Sequence, residues 1–265
     1  MYCKVVFDVP LDRDFDYRVP AELEAHVKPG VRVTAPFGRM LTTGLVVSVS
    51  QDTSLPADIL MKEIAAILDK QPVFGSDLFP LAQFMKSNWG GPIGQILFAL
   101  VPPQAYFKLS DDAAYPALLP AQDMAPFSTA QQTIYEQLNS HLSDGFHRVL
   151  LSGPAGSGKT DIIFRLIYQV LQNYGQALLT MPDVLAAQNL ATKLKTYYGD
   201  NVLCWHSKML LSQKKQIFSR ISNGLPCLVV SARSGGLLPF KNLRLAFNAA
   251  FNSCAILTPG SSVGL

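Results

Sequence analysis

Gly153-Pro154-Ala155-Gly156-Ser157-Gly158-Lys159-Thr160 decides how the second half of this 265-residue chain is read. The apolar run 149–152 before it reads as a strand, and residues 159–174 after it read as a helix. Strand, glycine-rich turn and helix in that order make a phosphate-binding loop. Glycines let the backbone wrap with its N–H groups pointing inward, and the helix N-terminus adds the positive end of its dipole. On this reading Gly153, Gly156, Ser157 and Gly158 cradle the phosphates of ATP or ADP. Lys159 reaches the β- and γ-phosphates, and Thr160 offers its hydroxyl to Mg²⁺. A glycine-rich turn with no ligand is the alternative that the pattern leaves open.

Outward from the loop, apolar strands alternate with helical stretches. Residues 149–152, 176–180, 202–205, 227–231 and 243–248 read as strands, and 159–174, 183–198 and 212–223 as helices. Such alternation builds a parallel sheet with helices on both faces. Upstream, Ser128 fits the N-cap of a helix over 131–141. The first hundred residues have a different texture. Segments 4–9, 32–36 and 44–49 are β-branched and aromatic, with Pro10, Pro20, Pro29-Gly30 and Pro36 as punctuation, which suits a small barrel or sandwich. Helices follow over 77–87 and 94–100. The expected organisation is α/β, in three parts: a small β-rich domain over 1–103, a proline-punctuated linker over 104–126, and one RecA-like P-loop lobe over 127–265.

Charge divides the chain at the same place. Residues 1–147 carry a balance of −6, whereas 148–265 carry +9, with three aspartates and no glutamate. The second half therefore suits a polyanion such as nucleic acid, a merely basic surface being the plainer alternative. Cys3, Cys204, Cys227 and Cys254 are scattered without a C-x-x-C pair, so neither a zinc ribbon nor a disulfide framework fits. Apolar runs such as 96–101 are too short to span a membrane, and the first residues lack a signal-peptide layout. A cytoplasmic protein without zinc or membrane contact is the expectation.

Two blocks carry a family resemblance. Val9-Pro10-Leu11-Asp12-Arg13-Asp14-Phe15-Asp16-Tyr17, Val31-Arg32-Val33 with Pro36-Phe37-Gly38, Gly44-Leu45-Val46-Val47, Leu68-Asp69, Pro72-Val73-Phe74 and Pro92-Ile93-Gly94 follow one another in a fixed order. With the phosphate loop downstream, this series resembles the primosomal protein N′ (PriA) family, superfamily-two helicases that restart stalled replication forks. The resemblance implies that the first domain captures the 3′ end of the leading strand, in a pocket at Phe15, Asp16 and Tyr17 with Lys62 nearby. A carboxylate can accept hydrogen bonds from a base edge or a free hydroxyl. An aromatic ring can stack on a base, and a lysine can hold phosphate. From the residues alone, Phe15 and Tyr17 read rather as core residues flanking a surface aspartate. In the second block the resemblance makes Phe127-Ser128-Thr129-Ala130-Gln131 a glutamine motif, with Gln131 reading adenine. Thr180-Met181-Pro182-Asp183 is similar to the next motif. His206-Ser207 and Arg233-Ser234, with Pro239-Phe240, are similar to motifs on the DNA path. Taken singly, His206 and Arg233 read as a core-edge imidazole and a solvated charge.

The chain departs from the family at the end of 243–248. The family's Asp-Glu-Glu-His should stand there, and this sequence has Asn248-Ala249-Ala250-Phe251. Asn248 is a weaker ligand than aspartate for a hard cation, and Ala249 cannot orient or deprotonate water. No winged-helix domain, second lobe or cysteine-rich zinc insertion is expected, and the tail over 258–265 reads as frayed. The expected function is fork-DNA binding at 3′ ends beside an ATP-binding lobe that neither hydrolyses nor unwinds alone. Other primosome proteins or a single-strand-binding protein are the expected partners. Two alternatives stand: an active ATP-dependent helicase completed by a partner chain, and a ligand-free interaction module.

Overall fold

In the computed structural model, residues 1–52, 61–69, 72–73, 78–101, 126–143, 145–154, 156–248 and 253–256 are described. The 104–125 part of the expected linker, Ala249 and the 258–265 tail lie outside them. The chain divides into two compact units, one ending near Pro103 and the other following it.

The first unit is an antiparallel five-stranded sheet in the order β2-β1-β4-β3-β5. Its strands are β1 (Tyr2–Phe7), β2 (Phe15–Arg18), β3 (Arg32–Phe37), β4 (Met40–Ser50) and β5 (Ala66–Ile67). Side-chain alternation buries both faces of the sheet. Val5 and Val46 join Tyr17, Val19, Val31, Val33 and Ile64 in one cluster. Their neighbours Val6 and Leu45 face the other way, against Ala82 of α1 (Leu78–Trp89) and Leu97 of α2 (Ile93–Leu100). Helix α2 lies so close that a Cβ on Gly94 would collide with the Phe7 carbonyl, which explains a glycine there. The two strands absent from the sequence reading, β2 and β5, are the short ones, with four and two residues.

A buried ion pair ties β3 to the segment after β5. Arg32 and Asp69 are 3% and 9% exposed. The guanidinium donates to Asp69 from Nε at 2.9 Å and Nη2 at 2.6 Å, and the Arg32 backbone N–H donates to the same carboxylate at 2.9 Å. Three donors on one carboxylate satisfy both charges out of water.

The second unit holds a six-stranded sheet in the order β6-β11-β10-β7-β9-β8. Strands β7 (Gln176–Thr180), β8 (Val202–Trp205), β9 (Cys227–Ser231) and β10 (Leu243–Asn248) run parallel, as expected from their alternation with helices. Ala177 and Leu179 of β7 face the cluster that contains α4 (Lys159–Gln172) and α5 (Val184–Tyr198). Leu178 faces the opposite way, with Ile217 and Ile221 of α6 (Leu211–Ser222). Strand β6 (His147–Leu150) stops two residues short of the expected end and stands at the sheet edge. Between it and β10 lies β11 (Ser253–Ile256), antiparallel to both and not anticipated from the sequence. Among the described residues no helix is long and apolar enough to cross a membrane.

Candidate functional site

In the first unit, three separate segments surround one cleft of about 530 Å³. Arg13, Asp14, Phe15, Asp16 and Tyr17 line it from the start of β2, Pro36, Phe37 and Gly38 from the end of β3, and Met61 and Lys62 from the approach to β5. Phe15, Asp16, Tyr17 and Lys62, paired in the sequence only by resemblance, are thus brought together. Their roles differ from one another. Tyr17 is 4% exposed, and its hydroxyl donates to the Pro36 carbonyl at 2.9 Å, so it supports the cleft from the core. Burial raises the pKa of that hydroxyl. Phe15 is half-buried, and the rings of Phe7 and Phe37 meet it edge-on at 5.7 and 5.2 Å. Lys62 is exposed and donates to the Gly38 carbonyl at 3.1 Å. Asp16 is partly exposed and makes no ion pair among the described residues. The cleft is braced by Asp12, whose carboxylate takes a hydrogen bond from Lys86 at 2.7 Å and from the Ile93 N–H at 3.3 Å. Those two bonds, Lys86 first, hold the Asp12 pKa below the usual carboxylate range.

The phosphate loop leaves β6 and enters α4 at Gly158, whose φ of +80° only glycine adopts without strain. Lys159 donates to the carbonyls of Gly153 at 2.7 Å and Pro154 at 2.8 Å. Ser157 Oγ lies 3.5 Å from the same ammonium. Thr160, at the second position of α4, is exposed. Helix α3 (Thr129–His141) is capped by Ser128, as its sequence indicated. Gln131 completes that cap: its Oε1 accepts the Ser128 N–H at 2.8 Å, and its own N–H donates to Ser128 Oγ at 3.3 Å. Its Nε2 donates to the Ser157 carbonyl at 3.2 Å. Gln131 therefore sits against the loop.

The remaining motif residues gather at the carboxyl ends of the parallel strands, where ligands of open α/β sheets bind. Asp183 follows β7 and caps α5, accepting the Ala186 N–H at 2.8 Å. His206 and Ser207 follow β8, with His206 Nε2 3.1 Å from the Gln188 amide and the Ser207 carbonyl holding Lys214 at 2.7 Å. Arg233 and exposed Ser234 open the turn Arg233–Leu237 after β9. Asn248 ends β10. Leu150 and Asn248 both pair with Ser253, so the loop's start and Asn248 are level at one edge. The intervening β11 sets them two strand spacings apart, about 10 Å. Among the described residues no group of three or more His, Cys, Asp or Glu side chains could hold a metal ion.

Sequence reasoning gave Arg13 no role, yet its guanidinium lies over the Phe15 ring, 4.7 Å from the centroid. Arg13 lies at a bend before β2, so no strand periodicity pointed to it.

A small β-rich unit with a cleft is thus followed by an α/β unit that carries a phosphate loop. Comparison with known proteins agrees. Residues 4–102 match the 3′DNA-binding domain (3′BD) of PriA, and residues 125–231 match the family described as type III restriction enzyme, res subunit. The replication restart protein PriA of Treponema pallidum is 29% identical over 249 residues, covering 92% of this chain and 37% of the relative. That of Helicobacter pylori is 29% identical, over 84% of this chain and 33% of its own. That of Rickettsia conorii is 27% identical, over 91% and 36%. The chain is thus similar to PriA along most of its length, and it spans about a third of the length of the curated relatives it matches.

Proposed function

We propose that the first unit holds the free 3′ end of a DNA strand at a replication fork, in the cleft between Phe15 and Lys62. The observation that carries this reading is the convergence of Asp16 and Lys62 from distant segments on one cleft with aromatic support. A carboxylate suits a terminal hydroxyl or base edge, and a lysine suits the adjoining phosphate. A 3′-phosphate would bring two negative charges towards Asp16 and be repelled.

The second unit, on the same proposal, binds ATP or ADP with Mg²⁺ on residues 153–160 and lays its basic face on the DNA backbone. Lys159 would exchange its carbonyl partners for phosphate oxygens, with Thr160 on the metal. Asn248 at the end of β10, one strand removed from the loop, supports weak or absent hydrolysis and no unwinding by this chain alone. Other primosome proteins or a single-strand-binding protein are its proposed partners.

Fluorescence anisotropy with labelled forks tests the first claim at fixed, near-physiological salt. Forks ending in a 3′-hydroxyl should bind more tightly than forks ending in a 3′-phosphate, and Asp16→Ala should erase the difference. Equal binding of both ends by the unaltered chain would sink the end-capture reading. A thermal shift with Mg-ATP that disappears in Lys159→Ala would establish the nucleotide site, and its absence in the unaltered chain would remove it.

A further inference from the structure

We infer that the guanidinium of Arg13, laid on the Phe15 ring, is the surface against which the terminal base of a bound 3′ end stacks. This rests on the proposed end-binding role of the cleft and assigns the base-contacting group within it.

The aromatic ring itself is poorly placed for that task. Phe37 and Phe7 meet Phe15 edge-on at 5.2 and 5.7 Å, and Arg13 covers it at 4.7 Å. Tyr17 is buried, with its hydroxyl engaged. Phe15 is half-buried with Arg13 already over its ring, and Tyr17 is enclosed. Arg13 is exposed and lines the cleft. Its neighbour Asp14 pairs with Lys4 at 3.3 Å, and among the described residues no carboxylate pairs with Arg13. A guanidinium is planar and weakly hydrated, so it stacks on an aromatic ring with one face and on a nucleobase with the other. Phe15 is then a positioning residue that fixes a side chain which would otherwise lose rotamer freedom on binding.

The three chemical parts of a terminal nucleotide find separate partners on this arrangement. Asp16 faces the hydroxyl. Lys62 keeps N–H donors for phosphate beyond the one it gives to Gly38. Arg13 takes the base without reading its identity, because every base presents a π-face. End capture independent of sequence is the consequence.

The test compares forks that carry a 3′-hydroxyl on either a natural terminal nucleotide or an abasic tetrahydrofuran nucleotide. Affinities of the full chain are read by anisotropy. The unaltered chain should lose about tenfold when the base is missing, in line with one stacked base. Arg13→Lys keeps the charge and removes the plane. It should bind the natural end about tenfold more weakly and lose nothing further at the abasic end. Phe15→Leu should lose base sensitivity likewise while keeping its preference for a 3′-hydroxyl. Arg13→Lys binding the natural end as tightly as the unaltered chain, or keeping full sensitivity to the missing base, would overturn the assignment. So would a Phe15→Leu chain with unchanged base sensitivity. The hydroxyl-against-phosphate comparison reads the underlying end-capture role separately, through Asp16, so the two ideas can fail independently.

Discussion

The two units differ in where their ion pairs fall. In the first, cations meet carboxylates: Lys4 with Asp14, Arg18 with Glu63, Arg32 with Asp69 and Lys86 with Asp12. Every ion pair between described residues falls there. In the second, cations turn to backbone carbonyls. Lys159 donates to Gly153 and Pro154, Lys214 to Ser207, and Arg220 to Asp200 and Pro226. The cause is composition, since residues 148–265 hold 12 Lys and Arg against three Asp. A carbonyl satisfies a donor without cancelling its charge. The second unit therefore keeps a net positive charge for a polyanion, while among the described residues of the first Arg13, Asp16 and Lys62 bring charge to the cleft outside any ion pair.

The sharpest way to break that contrast is to remove one partner of the buried pair. Asp69→Ala leaves Arg32 charged and out of water, and should destabilise the first unit by about 3–5 kcal/mol in denaturant unfolding. Replacing both residues with apolar ones of similar volume should recover most of the loss, whereas Lys4→Ala should cost under about 1 kcal/mol. A loss of similar size at Lys4 would show that burial is not what separates these pairs.

Alkali should weaken both units alike. Burial, with the Asp16 charge second, pushes the Cys3 thiol from 9.0 up to about 12. Burial raises Cys227 to about 12, against a smaller lowering by Arg220. The folded protein thus holds these protons more tightly than the unfolded chain. The stability they contribute is complete below pH 9 and is lost as pH rises from 9 towards 12. The slope is at most about 1.4 kcal/mol per pH unit for each thiol. Unfolding midpoints at pH 8 and pH 10.5 read this, and Cys3→Ala should flatten the first unit's dependence.

A smaller effect belongs to the second unit's scarce acids. Asp183 is committed to the cap of α5, so Asp183→Ala should cost about 1 kcal/mol and Asp183→Asn much less. Equal losses would mean that the charge, not the cap, matters. Smallest is the salt response. Lys208, exposed two residues after His206, tests this: Lys208→Ala should reduce the slope of log K against log salt by about 1 if its charge meets a DNA phosphate. Lys4→Ala, whose charge already has a protein partner, should leave it unchanged.

Local pattern made much of the second unit legible in advance. The loop at 153–160, helix α4, the Ser128 cap and the parallel strands β7 to β10 are each set by residues close in sequence, where spacing and periodicity speak directly. What the sequence concealed is nonlocal. Arg32 and Asp69 stand 37 positions apart with no periodic signal linking them. The antiparallel insertion of β11 between β6 and β10 depends on strand order, which alternation does not specify. At the cleft, the order of short motifs pointed to Phe15, Asp16, Tyr17 and Lys62. Only packing separates supporting Tyr17 from accessible Asp16 and reveals Arg13 over Phe15.

Gln131 places the phosphate loop and the first turn of α3 under a common equilibrium. One amide both completes the helix cap and holds the Ser157 carbonyl. A ligand that draws this side chain off the cap or off the Ser157 carbonyl links occupancy of the loop to fraying of the helix end. Linkage is reciprocal: stiffening that turn lowers affinity at the loop by the same factor by which the ligand loosens the turn. Amide hydrogen exchange at the start of α3 would then follow ligand concentration, although those amides belong to a different element from the loop.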